Sequence, residues 1–227
     1  MRKIIYCLIL PLVLLLSSCG LIDSIKNRIP VPTNTEEPYL ITELGGKKSK
    51  NGESAKGTNE LIAMFENDET FVVIFGGTDC TLCKSFNKNV LNVYLDTNAG
   101  EKYQDDIYYY YSNQFIEYLN DVYEDVNEAE AKELAKKYEE KLMLNYFIPA
   151  YEEFYGAEYT TKSTVGNIEF YSAETPVLLF VFNGNVIGMI FGDISGESNA
   201  VLRFSEALTA WENNDTNAFK SVLEKIN

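Results

Sequence analysis

The sequence contains no histidine, one tryptophan and only four cysteines, and its 19 basic residues are outnumbered by 34 acidic ones. Without imidazole, no Ser-His or Cys-His nucleophilic site and no histidine metal site can be built from this chain. The net charge of −15 gives a surface that repels phosphate backbones, which argues against nucleic acid as a partner. Long apolar runs are also scarce: Ile4 to Leu16 is too short to span a bilayer comfortably. Aromatic residues are plentiful, with 16 tyrosines and 13 phenylalanines in 227 residues. Together with a hydrophobic fraction of 46%, they argue against disorder and for one domain with a sizeable core plus appendages.

Residues 1–19 read as a secretion leader: Arg2-Lys3, the apolar run, then Ser17-Ser18-Cys19. The tetrapeptide Leu16-Ser17-Ser18-Cys19 resembles the bacterial lipoprotein cleavage box, which implies that Cys19 is lipidated and becomes the mature N-terminus. The alternatives are an ordinary cleaved signal and an uncleaved anchor. Each of them places the domain outside the cytoplasm, where disulfides persist. Cleavage removes Arg2 and Lys3 and leaves 17 basic against 34 acidic residues, a net charge of −17. Residues 20–57 are poor in apolar side chains and carry Pro30, Pro32, Pro38 and Gly45-Gly46, so they are expected to form a flexible tether. Its part from Ile29 to Leu44 is open to being an edge strand.

Beyond the tether the only cysteines are Cys80 and Cys83. A closed zinc site takes about four N or S ligands, so two thiols without imidazole favour redox chemistry over metal binding. Phe71 to Phe75 is an apolar, β-branched and aromatic run that predicts a buried strand, and Gly76-Gly77 ends it. Thr78 or Asp79 is then expected to cap a helix from about Cys80 through Tyr94, with Phe86, Val90 and Val93 at helical spacing. Cys80 would sit in the first turn, where free N–H groups stabilise a thiolate, with Cys83 three residues on and close enough to bond to it.

The remaining pattern alternates helix and strand. A short helix is expected from Glu60 to Asn67, and the tyrosine-rich Ile107 to Tyr111 reads as a strand covered on both faces. Residues 113–165 read as a helical insert, with the stripe Leu134, Tyr138 and Leu142 and the series Tyr151, Tyr155 and Tyr159 at spacing four. Its role is open between packing over a sheet face and forming a lid or groove beside the cysteines. Val177 to Phe182, Asn183-Gly184 and Val186 to Phe191 predict a hairpin, and helices are expected from Asn199 to Trp211 and from Asp215 to Ile226.

This order resembles the thioredoxin-like superfamily over residues 58–227 with the insert set aside: an α/β fold with a central mixed sheet flanked by helices. Phe71 to Phe75 followed by Cys80-Thr81-Leu82-Cys83 carries the resemblance, joined to Thr175-Pro176 and the hairpin downstream. It implies that Cys80 is the exposed nucleophile, Cys83 the resolving thiol and Pro176 a cis proline against the disulfide. It also implies that Thr175, Thr81 and Leu82 face the substrate, and that no cofactor is needed. The implied activity is thiol–disulfide exchange on exported proteins, with a separate redox partner, by a lipoprotein of the bacterial cell envelope. Departures are Asp79, where many reductases have tryptophan, Ile74, where thioredoxins have a buried acid, and the Thr81-Leu82 dipeptide. Alternative readings are a binding lipoprotein with a structural disulfide, and a thiol metallochaperone for a soft ion such as Cu(I).

Overall fold

The computed structural model describes residues 36–38, 40–45, 53–197 and 199–226. The leader, Cys19 and most of the tether lie outside the described residues. Two stretches assigned to the tether are ordered parts of the fold. Thr42–Leu44 forms strand β1, and helix α1 is Glu53–Glu66, which starts inside the expected tether. Strand β2, Phe71–Gly76, is followed by helix α2 over 81–95, built from α-helical Thr81–Phe86, a π turn Asn87–Leu91 and a last turn Asn92–Leu95. Strand β3, Ile107–Tyr111, leads into helix α3, Ser112–Asp125. Helix α4, Glu128–Tyr138, runs through a π segment, Glu139–Phe147, into α5, Ile148–Tyr155.

The helical insert ends earlier than expected. Gly156 takes the left-handed conformation (φ 64°) that terminates α5, so Tyr159 lies beyond the helix. Strands β4, Lys162–Val165, and β5, Ile168–Tyr171, then form a separate antiparallel hairpin. Strands β6, Val177–Phe182, and β7, Asn185–Phe191, form the expected hairpin. Asn183 and Gly184 both have positive φ, 48° and 72°, which matches the twist of the strands they join. Helices α6, Ala200–Glu212, and α7, Thr216–Ile226, close the fold within a residue of the expected positions.

The main sheet has the order β1-β3-β2-β6-β7. Strands β1, β3 and β2 are parallel neighbours, whereas β6 is antiparallel to both β2 and β7. Alternation along β2 divides the core. Phe71, Val73 and Phe75 face one layer with Leu61 and Phe65 of α1, Phe115 of α3 and Leu142 and Phe147 of the insert. Val72 and Ile74 face the other with Phe86 and Val90 of α2 and Phe204 and Trp211 of α6. The β3 tyrosines split likewise: Tyr110 packs on the first layer, Tyr109 and Tyr111 on the second. This mixed sheet with helices on both faces is an α/β arrangement compatible with the thioredoxin-like fold. Among the described residues no helix is long and apolar enough to cross a membrane.

The insert therefore packs on the sheet face opposite α2. Helix α4 is tied to its surroundings by its side chains, since Asn167 donates to Glu128 at 2.9 Å and Lys137 donates to Asn59 at 2.7 Å. Val126 is the exposed C-cap of α3.

Burial pushes the phenols of Tyr109, Tyr155 and Tyr159 up to about 12. A pKa raised in the folded state contributes stability fully present below the unfolded value of about 10 and lost as pH rises through about 12. The denaturant midpoint is therefore expected to be flat up to about pH 10 and to fall steeply between about 10 and 12, with tyrosinate absorbance growing in step. A midpoint unchanged across that window contradicts the packing of these rings.

Candidate active site

The register of the sheet places the site. Phe75 at the end of β2 pairs with Val177 at the start of β6, so the residues after β2 and those before β6 emerge side by side. The first are Gly77, Thr78, Asp79 and Cys80; the second are Thr175 and Pro176. The exit from β2 is close-packed: a Cβ on Gly76 would run into the Tyr109 phenol, and one on Gly77 into the Asn113 amide. Here glycine serves close approach.

Cys80 and Cys83 are joined by a disulfide, with Cα atoms 5.2 Å apart. Contrary to the sequence expectation, neither Thr78 nor Asp79 caps α2. Cys80 is itself the N-cap, with φ −77° and ψ 105°, and the Cys83 backbone N–H donates to its Sγ at 3.0 Å. Thr78 is engaged elsewhere: its N–H donates to Gln114 Oε1 at 3.3 Å, and its hydroxyl accepts from Gln114 Nε2 at 2.7 Å. Gln114 is buried in the first turn of α3, so the insert's leading helix grips the loop two residues before Cys80.

The Thr175–Pro176 peptide bond is cis, as the resemblance implied. Cys80 Sγ lies 3.6 Å from the Thr175 carbonyl oxygen, a van der Waals contact, since a disulfide sulfur has no hydrogen to give. Gly192 N–H donates to the Pro176 carbonyl at 2.9 Å and ties the loop to the end of β7. Cys80, Cys83, Thr175 and Pro176 are thus brought together. Cys83 is 1% exposed, whereas Cys80 is partly exposed and Thr81 and Leu82 stand out in solvent, Leu82 at 52%. An accessible sulfur at a helix start with a buried sulfur behind it suits attack at Cys80 and resolution by Cys83.

Beneath the disulfide, α2 carries buried asparagines that the sequence reading missed. Asn87 Nδ2 donates to the Glu36 carbonyl at 3.1 Å and Asn92 Nδ2 to the Glu37 carbonyl at 2.8 Å. The chain before β1 is therefore strapped along the helix that holds the cysteines. The sequence signal of these asparagines is polar side chains among the apolar positions Phe86, Val90 and Leu91. Nearer the start of α2, Ser85 Oγ and Ser195 Oγ are 2.6 Å apart, and Asp193 accepts from Ser195 at 2.7 Å. Among the described residues no group of three or more Cys, Asp or Glu side chains is placed to hold a metal ion.

Comparison with protein-family models, curated proteins and solved structures gives no match to this chain. The chemistry of the site is carried by its geometry alone: a disulfide pair at Cys-x-x-Cys spacing whose arrangement fits a redox role.

After reduction, Cys80 is expected to be alkylated by iodoacetamide at neutral pH while Cys83 is protected, as read by peptide mass. Asp79 is exposed next to Cys80 and its charge opposes a thiolate there. Asp79→Asn should therefore raise the Cys80 alkylation rate roughly two- to fivefold. Equal labelling of both cysteines contradicts the assignment of roles.

Proposed function

We propose that this protein is a thiol–disulfide oxidoreductase, anchored by a lipid on Cys19 in the bacterial cell envelope and acting on exported proteins. The observation that carries this reading is the placement of Cys80 Sγ, part-exposed at a helix start and 3.6 Å from the carbonyl that precedes cis Pro176. In the reducing direction, the Cys80 thiolate attacks a substrate disulfide, forming a Cys80–substrate bond and expelling one substrate thiolate. The Cys83 thiolate then attacks Cys80 Sγ, the intramolecular disulfide forms, and the second substrate thiolate leaves. Two electrons pass to the substrate, and the released thiolates take up protons from water. The oxidising direction is the reverse of these steps, and a separate redox partner restores the pair.

The Thr175 backbone supports docking of an extended chain beside Cys80, with Thr81 and Leu82 as the exposed surface on the other side. The leader and the Leu16-Ser17-Ser18-Cys19 box support the location.

Cys83→Ala removes the resolving thiol. In cells expressing it, disulfide-linked adducts on Cys80 are expected in the membrane fraction, visible on non-reducing gels and absent from the Cys80→Ser/Cys83→Ala double variant. Adding Cys19→Ser should move the adducts out of that fraction. If Cys83→Ala accumulates no adducts, the exchange mechanism is wrong; if Cys19→Ser leaves them at the membrane, the lipid anchor is wrong.

A further inference from the structure

The chain that enters the cis peptide bond is suspended from the insert through consecutive backbone groups. Tyr171 N–H donates to Glu139 Oε1 at 2.9 Å, and Ser172 N–H to the Thr161 carbonyl at 3.3 Å. Ala173 N–H donates to the Tyr138 hydroxyl at 3.3 Å, and Glu174 N–H to the Tyr159 hydroxyl at 3.1 Å. Tyr159 in turn donates to the Ser172 carbonyl at 2.6 Å, and Ser163 donates to the Ser172 hydroxyl at 2.8 Å. Four successive N–H groups thus end on acceptors between residues 138 and 161, and the Thr175–Pro176 peptide unit follows two units after the last of them.

Two of those acceptors are phenols that an ordinary packing role does not require. Tyr138 and Tyr159 are 0% and 3% exposed. Phenylalanine would fill almost the same volume, so what the hydroxyls add is the hydrogen bonds they make. Burial raises both phenols, Tyr159 to about 12, so both stay protonated at neutral pH. Tyr159 donates with its proton and accepts on its lone pair, spanning Ser172 to Glu174 like a two-point hook.

We propose that Tyr159, assisted by Tyr138, is a positioning residue that sets the Thr175–Pro176 loop against Cys80 for extended polypeptide substrates. This rests on the redox reading of the site. The consequence is selective. A small disulfide needs only the Cys80 sulfur, whereas a polypeptide must also pair its backbone with Thr175, so loss of the hook should slow the second and spare the first.

The test uses the full reduced chain in detergent and two oxidants: glutathione disulfide, and an extended peptide whose cysteine is disulfide-linked to glutathione. In both, Cys80 attacks one sulfur and the other leaves as thiolate; Cys83 then attacks Cys80 Sγ, the intramolecular disulfide forms and the second thiolate leaves. Tyr159→Phe is expected to slow exchange with the peptide about tenfold, through KM more than kcat, and to leave glutathione disulfide within about twofold. Tyr138→Phe should show the same split to a smaller degree. Tyr151→Phe, whose ring centroid lies 5.0 Å from that of Tyr159, should change neither rate. If Tyr159→Phe does not fold, the Tyr138→Phe split decides. Equal slowing with both oxidants, or an unchanged peptide rate, overturns the positioning role. Failure of the unaltered protein to exchange with either oxidant overturns instead the redox reading beneath it.

Discussion

The pairing of Phe75 with Val177 is the constraint on which the site depends. It fixes the end of β2 against the start of β6 in antiparallel register, so that the loop carrying Cys80 and the loop carrying Pro176 must leave the sheet together. A slip of one residue would turn Val72 and Ile74 onto the wrong layer, and both core layers resist that through fully buried side chains. β2 is central and covered on both faces, which explains its unbroken apolar sequence and the rigidity it lends to the site.

Each loop is then gripped from the insert. Gln114 holds Thr78 ahead of Cys80, and Tyr138 and Tyr159 hold Ala173 and Glu174 ahead of Thr175. The inserted region lies across the sheet from α2 and reaches the candidate site through Gln114 of α3, Tyr138 at the end of α4 and Tyr159 ahead of β4. From the opposite layer, Asn87 and Asn92 strap the entering chain to α2. The insert thus holds both short loops and α2 holds the entering chain, leaving Cys80 accessible while its surroundings are fixed by hydrogen bonds.

The parts of this arrangement legible in the sequence were those written in short-range pattern. The apolar run at Phe71 to Phe75, the four tyrosines of β3, the Asn183-Gly184 turn and the stripe Phe219, Val222, Leu223 and Ile226 each state their structure locally. The Cys80–Cys83 spacing and Thr175-Pro176 marked the site. What escaped was long-range or short. β1 has only three residues, so the sequence left the stretch from Ile29 to Leu44 open between tether and edge strand, and its end, Thr42–Leu44, is the edge strand. The β4–β5 hairpin has four-residue strands of mixed polarity, and the tyrosine series before it continued a helical spacing that Gly156 breaks. The capping of α2 was misread because a cysteine sulfur takes the place of the expected hydroxyl or carboxylate. The roles of Gln114, Tyr138, Tyr159, Asn87 and Asn92 lie in side-chain bonds to backbone up to 55 residues away, which no local period records.

The central claim is that the Cys80–Cys83 disulfide is exchanged in function, and an equilibrium redox titration tests it most directly. The full chain is equilibrated in graded thiol buffers, and free thiols are counted by mass after alkylation. The account predicts a reversible two-electron transition between about −120 and −270 mV, with its position giving the direction in which the protein works. A disulfide that stays closed in every buffer, or one that never forms, would contradict it.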